Sequence, residues 1–370
     1  MAYTEQEARR LLIRAGRELT EKGLVARTWG NISARISEDT FLITPSGRTY
    51  DSLSEEDFVE VGLADLAWEK DGLKPSSEKG LHAEVYRLRP TVDFIIHTHQ
   101  HYASVIGITG QSFPFAPVAR YALPGTKQLA GRVAFSLQIN PEHRAFLMQK
   151  HGALCLGETY EEAFSQAEKL EEAAEARYRS AVGEVTAEPS CDLGSSWRCG
   201  EEFLLTCEGE TRAYPIRDLP AVAPPVAKRH AALYRDGGVN FVLPSSDAEV
   251  LAVGQTGRVL PAYLDDFAQI AGETVFAVRN GKNAPLALTG RNAVLIAGAG
   301  ALCTGRTRAD AEAVLHILRK NAAAALYARA VGGVKPLTAA DAFVQRAVYR
   351  MKYEKQDAKN RRKGEREEEK

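Results

Sequence analysis

The first half of the chain alternates between amphipathic helical segments and short apolar runs. Residues 5–23 place apolar side chains on one helical face and end at Gly23, so a helix is expected there. The runs at 29–36 and 40–44 favour two strands joined by a polar turn. A further apolar, β-branched run, Phe94–Ile96, indicates a buried strand.

Two histidines, His97 and His99, follow that run at i, i+2 spacing. In a strand this spacing sends both imidazoles to the same face, about 7 Å apart along the backbone. An isolated pair of this kind is more often a strand end with solvated histidines, so a metal site requires a further ligand. His151 is the natural third ligand, because it follows the apolar run 145–148 and precedes Gly152, which allows close backbone approach. Three imidazoles with an open fourth position are typical of a catalytic zinc site, and Co, Mn or Fe are the alternatives.

A carboxylate, Glu78, stands at the start of a helix predicted over about 75–87. Placed beside a metal, such a group serves as general acid and base. His101 continues the i, i+2 series and is expected to line the site beyond the strand end instead of binding metal. Surface or helix-face roles are expected for the histidines without a partner motif: His82, His143, His230 and His316.

Short hydroxyl, amide and glycine residues occur at predicted turns and helix starts of the same half: Thr28, Gly30, Asn31, Thr44, Pro45, Ser46, Gly47, Ser76 and Ser77. Alone, residues of these types usually serve turns and helix caps. Backbone N–H groups at such places also favour phosphate or carboxylate groups. Their arrangement around the histidines favours an anion-binding role.

Composition and charge are those of an ordinary globular protein, with 45% hydrophobic and 26% charged residues in a chain of 370. The length suggests two domains. A formal net charge of −1 favours neither nucleic acid nor an anionic membrane as partner. No apolar run reaches the length of a membrane span, and the polar, acidic N-terminus is unlike a signal peptide. Five cysteines do not make a disulfide framework, so a soluble cytoplasmic protein is expected.

Two blocks of sequence recur in the second half in the same order. His151–Thr159 matches Ala299–Thr307, and Phe41–Arg48 resembles Val250–Arg258. Matched blocks in the same order indicate a duplicated domain. The second copy offers no counterpart of the carboxylate or of the two strand histidines, and alanine replaces the third histidine. We therefore expect a shortened, degenerate repeat.

These observations predict four parts: a domain with the metal site (1–183), a connecting segment rich in proline and small residues (184–230), the shortened repeat (231–353) and a charged, disordered tail (354–370). Three cysteines of the connecting segment lack the CxxC pair of a zinc or iron–sulfur site and are expected to be ordinary thiols: Cys191, Cys199 and Cys207.

The first domain resembles the class II aldolase/adducin family, which includes sugar-phosphate aldolases and epimerases. Five motifs carry the resemblance in the family's order: Gly30–Ser33, Thr44–Gly47, Pro75–Glu78, His97–His99 and Gln149–Gly152. It covers about residues 5–182 well and 231–333 weakly. The resemblance implies an α/β/α sandwich around a mostly antiparallel sheet, here duplicated in tandem. It also implies a homo-oligomer with active sites between subunits.

The resemblance further implies roles for single residues. His97, His99 and His151 correspond to the three metal ligands, with zinc the expected ion, and Glu78 corresponds to the acid/base carboxylate. A phosphate pocket is implied for Thr28, Asn31, Ser76 and Ser77, together with Gly47 and its neighbours.

The chain departs from the family pattern between Phe113 and Thr126, where it is shorter than the aldolases. The tyrosine that the aldolases use as proton donor is missing, and Val118 falls near its place. Tyr121 is the nearest substitute and is the candidate proton donor.

These features predict a metal-dependent lyase that cleaves a sugar phosphate, or a related hydroxy-carbonyl compound, by a retro-aldol reaction through a metal-stabilised enediolate. Decarboxylation and epimerisation use the same intermediate and are the alternatives at this site. A non-catalytic, adducin-like assembly or binding protein is the alternative outside enzymes, although such a protein would be expected to lose the ligand histidines.

Overall fold

The computed structural model describes residues 2–25, 29–70, 72–235, 238–279 and 283–351. The chain forms two compact units, unit 1 (Met1–Gly183) and unit 2 (Glu184–Lys370). None of the helices in the described ranges is long and apolar enough to span a membrane.

Unit 1 combines one sheet with helices that follow its strands. Its strands are β1 (Asn31–Arg35), β2 (Thr40–Ile43), β3 (Val59–Gly62), β4 (Phe94–Thr98), β5 (Val118–Ala119), β6 (Ala145–Met148) and β7 (Gly152–Gly157). Its α-helices are α1 (Glu5–Glu21), α2 (Lys79–Leu88), α3 (His101–Gly107), α4 (Lys127–Ile139) and α5 (Tyr160–Val182).

The sheet of unit 1 has the strand order β3-β2-β1-β4-β7-β6-β5. Neighbouring strands are antiparallel except for β5 and β6, which are parallel. The mostly antiparallel sheet expected from the sequence is therefore present. β4 lies at its centre, so the strand that carries His97 is paired on both sides, with β1 and β7.

Both faces of β4 are covered by helices. Ile95 belongs to a buried cluster with side chains of α2 and α4, among them Leu81 and Val133. Its neighbour Phe94 points to the other face, because side chains alternate along a strand. There the Phe94 ring lies 5.4 Å from the ring of Tyr160 in α5, centroid to centroid.

Unit 2 contains a second sheet and a small two-stranded one. Its strands are β8 (Ser195–Cys199), β9 (Glu202–Cys207), β10 (Glu210–Pro215), β11 (Phe241–Ser245), β12 (Leu260–Pro261), β13 (Thr274–Val275), β14 (Ala277–Val278), β15 (Ala293–Ile296) and β16 (Gly300–Gly305). Its helices are α6 (Pro225–Tyr234), α7 (Ala248–Gly254), α8 (Asp265–Ile270), α9 (Ala284–Leu288) and α10 (Arg308–Val331). Residues 339–351 are also helical.

The larger sheet of unit 2 has the order β10-β9-β8-β11-β16-β15-β14, which matches the first sheet strand by strand. The registers agree as well. Phe94 of β4 pairs with Gly157 of β7, and Phe241 of β11 pairs with Gly305 of β16. Within the described residues, β12, α8, β13 and the helix at 339–351 have no counterpart in unit 1.

The expected boundaries of the second half are wrong. Segment 184–230 was expected to be a connection, but β8, β9, β10 and the start of α6 belong to unit 2. The strands were missed because β10 is largely exposed and polar, so it lacks the apolar alternation of a half-buried strand. The segment whose strand order matches that of unit 1 is accordingly not confined to 231–353. The expected disordered tail (354–370) lies outside the described residues.

The second matched sequence block is also incorrect. Phe41–Arg48 includes strand β2, whereas Val250–Arg258 begins within helix α7. Helix α7 follows β11 as α3 follows β4, so its structural counterpart is α3. Short apolar runs are compatible with either a strand or a buried helix, which explains the false match.

Candidate functional site

The structure brings the three predicted ligand histidines of unit 1 together. His97 lies in β4, His99 follows that strand, and His151 lies in the turn between β6 and β7. Their ring centroids are 5.0 Å (97 to 99), 4.9 Å (97 to 151) and 4.6 Å (99 to 151) apart. One ring nitrogen from each lies within 4.8 Å of the others, which is close enough to hold one metal ion.

Glycines allow the backbone to approach His97 from both neighbouring strands. A Cβ at position 152 would overlap the carbonyl oxygen of Thr98 and lie 3.1 Å from His97 Cε1. Gly30 has a φ of +81°, and a Cβ there would overlap the carbonyl oxygen of His97. Gly30 was expected in the substrate pocket, and the structure gives it this packing role.

The protonation of His97 suits a metal ligand. Its Nδ1 lies 2.8 Å from the carbonyl oxygen of Ala153, which can only accept, so Nδ1 carries the hydrogen. In the neutral ring Nε2 then carries no hydrogen, and its lone pair can bind a metal ion. It is buried, makes no hydrogen bond within the described part of the chain, and lies 3.2 Å from Glu78 Oε2. Two electron-rich atoms facing each other in a buried site fit a cation between or beside them.

Glu78, the predicted acid/base group, lies against two of the histidines. It immediately precedes α2, is 7% exposed, and its Oε1 lies 3.0 Å from His151 Nε2. Asn31 Nδ2 donates a 2.8 Å hydrogen bond to its Oε2. Burial acts to raise the pKa of Glu78, but positive charge on the adjacent His97 and His151 rings, when they are protonated, outweighs it and holds this pKa well below its usual range.

The two predicted hydroxyl-rich turns lie side by side. Pro45 and Pro75 form an isolated β-bridge, and the N–H of Ser46 donates to the carbonyl oxygen of Lys74 at 2.8 Å. Ser46, Gly47 and Ser77 are exposed. This pairing holds the two turns next to each other.

Two of the expected pocket hydroxyls already have backbone partners. Thr44 Oγ1 accepts from the N–H of Ile32 at 3.2 Å, and Ser76 Oγ accepts from the N–H of Glu78 at 3.2 Å. Both residues therefore help to shape the turns. Thr28, the remaining predicted pocket residue, lies outside the described residues.

Val118 and Tyr121 lie next to strand β6 and the turn after it, which carries His151. Val118 is in β5 and pairs with Leu147 of β6. The N–H of Tyr121 donates to the side chain of Gln149 at 3.1 Å, two residues before His151.

Sequence reasoning missed a buried polar cluster that supports the site. His82 was expected at a surface or helix face, but it is fully buried between β1 and α2. Its Nδ1 lies 2.6 Å from Ser33 Oγ, and its Nε2 lies 2.5 Å from Asn31 Oδ1. The available signal was its i, i+4 spacing from Glu78, which places both on one helix face. His230 was missed in the same way and is also buried.

Unit 2 carries different residues at the equivalent positions. His97 pairs with Leu154 across β4 and β7, and Pro244 pairs with Leu302 in the same register across β11 and β16. Proline therefore stands where His97 does. Alanine, Ala299, precedes β16 as His151 precedes β7.

A family model, the Class II Aldolase and Adducin N-terminal domain, matches residues 10–178. The methylthioribulose-1-phosphate dehydratase of Serratia proteamaculans (strain 568) is 31% identical over 189 residues, 45% of this chain and 92% of the relative. The 5-deoxy-D-ribulose 1-phosphate aldolase of Bacillus thuringiensis serovar kurstaki is 32% identical over 201 residues, 51% of this chain and 92% of the relative.

A solved structure of an L-fuculose 1-phosphate aldolase is 29% identical, with a TM-score of 0.45, and the match covers 51% of this chain and 93% of that one. The two curated relatives are both lyases, one a dehydratase and the other an aldolase. Both exceed 30% identity and are covered over most of their length. This chain therefore belongs to the class II aldolase and adducin family.

Proposed function

We propose that unit 1 is a metal-dependent lyase that cleaves a ketose phosphate by a retro-aldol reaction. The observation that carries this proposal is the convergence of three imidazoles on one point with a buried carboxylate, Glu78, against two of them. An adducin-like scaffold role would not require this set of residues.

His97, His99 and His151 would hold the metal, and their nitrogen-only donor set favours zinc. A divalent metal supplies positive charge that stabilises negative charge developing on substrate oxygens. Glu78 is the group of this chain placed to move a proton to or from the carbon beside the substrate carbonyl. Asn31 holds that carboxylate by its 2.8 Å hydrogen bond. Tyr121 is the proposed proton donor to the leaving part of the substrate.

A phosphate would bind at the turns around Ser46–Gly47 and Ser76–Ser77. Ser46, Gly47 and Ser77 are exposed there, and short hydroxyl and glycine residues at turns favour phosphate. Asn31 is included in the proposed pocket, and Thr28, outside the described residues, is included on the family resemblance alone. The substrates in the names of the two curated relatives, methylthioribulose 1-phosphate and 5-deoxy-D-ribulose 1-phosphate, support a ketose 1-phosphate as the substrate class.

Dehydration is the second candidate, because one of these relatives is a dehydratase. Both reactions begin or end with proton transfer at the carbon beside the carbonyl, which is the proposed task of Glu78. They differ in the bond that breaks, carbon–carbon in the aldolase reaction and carbon–oxygen in the dehydration. Decarboxylation and epimerisation are further alternatives at the same site, and a substrate screen would also detect their products.

We further propose that the chain is a tandem duplication of an α/β/α sandwich and that unit 2 has lost the chemistry. The matching strand orders support the duplication. Pro244 and Ala299, at the positions equivalent to two metal ligands, support the loss of the metal site. Unit 2 then serves assembly, within a homo-oligomer.

A substrate screen tests this function. The zinc-loaded full chain is incubated with ketose 1-phosphates, and products are followed by mass spectrometry and by a coupled assay for dihydroxyacetone phosphate. Cleavage to that product and an aldehyde is the expected result, and Glu78→Gln should abolish it. Loss of water instead supports the dehydratase, and no turnover of any ketose phosphate would refute a lyase of this class.

A further inference from the structure

The buried polar groups of β1 and α2 form a chain of hydrogen bonds with a single allowed direction. The ionised Glu78 carboxylate can only accept, so Asn31 Nδ2 donates to it. The amide oxygen of Asn31 then faces His82 Nε2 and can only accept, so Nε2 carries the hydrogen.

This assignment fixes the donor and acceptor in each remaining hydrogen bond of the series. A neutral imidazole has one N–H, so His82 Nδ1 accepts from the hydroxyl of Ser33 at 2.6 Å. Ser33 Oγ in turn accepts from the hydroxyl of Tyr86 at 2.7 Å. The Arg35 guanidinium lies over the Tyr86 ring, 4.8 Å from its centroid. Burial lowers the pKa of His82 to about 3, which keeps the ring neutral.

Unit 2 contains the same serine, histidine and tyrosine without the acid/base site. Ser196 Oγ lies 2.6 Å from both His230 Nδ1 and the Tyr234 hydroxyl. His230 Nε2 lies 2.8 Å from the carbonyl oxygen of Leu193. The chain of hydrogen bonds therefore ends on the main chain in unit 2, but on a side-chain amide that contacts a carboxylate in unit 1.

We infer that His82 is a positioning residue for Glu78, which acts by fixing the orientation of the Asn31 amide. The inference rests on the proposed function of Glu78. With the opposite tautomer, a bare His82 Nε2 would face the amide oxygen of Asn31, and two acceptors would repel each other. The amide would then turn over, and its oxygen would face the Glu78 carboxylate. The Nε2–H tautomer is therefore needed to keep an N–H on Glu78.

Two readouts that need no turnover test this role. The first is the tautomer itself, measured by long-range ¹⁵N–¹H correlations of the imidazole rings in the histidine-labelled full chain. His82 should show hydrogen on Nε2 and none on Nδ1, and so should His230. An Nδ1–H tautomer, or a cationic His82 ring at neutral pH, overturns the inference whether or not any variant folds.

The second readout is Zn²⁺ affinity, measured by competition with a chromogenic chelator. The amide nitrogen of His82→Gln reaches the place of Nε2 and can still donate to Asn31, whereas the shorter His82→Asn reaches only the place of Nδ1. We expect His82→Gln to stay near wild type and His82→Asn to bind Zn²⁺ about 10- to 100-fold more weakly, because Glu78 lies against two of the proposed ligands and supports them as an outer group of the metal site.

The matched controls are His230→Gln and His230→Asn, which disturb the same cluster in unit 2. Both should leave Zn²⁺ affinity unchanged. Equal loss in the two His82 variants, or a loss in His230→Asn as large as in His82→Asn, would reduce His82 to a structural role. Absence of turnover in the wild type would refute the proposed function but would leave the tautomer to decide the inference.

Discussion

Acidification should destabilise the chain through two buried histidines, and His82 gives the larger effect. Burial lowers the pKa of His82 from its ordinary 6.5 to about 3, and that of His230 to about 4. The unfolded chain binds a proton at each ring below about pH 6.5, whereas the folded chain does not until much lower pH. The stability from each neutral ring is therefore complete above pH 6.5 and is lost as the pH falls.

The size of the loss follows from the width of each window. One proton bound only by the unfolded state costs about 1.4 kcal/mol per pH unit. Between about pH 6.5 and about pH 4.5, His82 thus contributes a loss of about 3 kcal/mol to the free energy of unfolding. Whole domains are stable by only about 5–15 kcal/mol, so the effect is large enough to measure.

Urea unfolding of the metal-free chain across this pH range, compared with His82→Gln, isolates the contribution. All other titratable groups are present in both proteins, so their contributions cancel in the difference. The free energy of unfolding of the wild type should fall more steeply than that of the variant, by about 1.4 kcal/mol per pH unit. His230→Gln should show the same change over this range, and only on further acidification below about pH 4 should the His82 difference exceed that of His230. Parallel curves for wild type and His82→Gln would show that this ring is not held neutral.

Three further predictions concern other parts of the chain. Gly152→Ala should destabilise unit 1 by about 1–3 kcal/mol through overpacking and release Zn²⁺, whereas Gly300→Ala, the matched change in unit 2, should leave Zn²⁺ bound. Metal analysis of both variants after dialysis tests this prediction, and equal Zn²⁺ retention by the two would contradict it. Tyr121→Phe should lower kcat with Zn²⁺ content unchanged, and an unaltered kcat would exclude it as proton donor. Thr159→Ala removes the N-cap of α5 and should lower the unfolding free energy by about 1 kcal/mol in urea titrations, with activity intact.

Local patterns were enough to predict the elements that present the metal ligands. The helix expected over 5–23 is observed as Glu5–Glu21, and the run before His97 forms the central strand β4. These signals are local, since side-chain periodicity and an i, i+2 spacing are readable within a few residues. His151 and Glu78 are distant from that strand in sequence; each was a candidate from the element beside it, and the family resemblance implied its role.

The parts that were missed depend on contacts between distant residues. His82 and Ser33 are 49 positions apart, and only the packing of α2 on β1 makes them partners. Strand β10 is exposed and polar, and its pairing with β9 shows it to be a strand. Neither feature has a signature in local hydrophobicity.

Titration of Zn²⁺ into the metal-free full chain, followed by calorimetry, tests the central claim most directly. We predict one tight site per chain, absent in His97→Ala, because only unit 1 carries the three imidazoles. A tight site that survives His97→Ala would contradict the ligand assignment. Two equivalent sites per chain would contradict the proposal that only unit 1 binds metal.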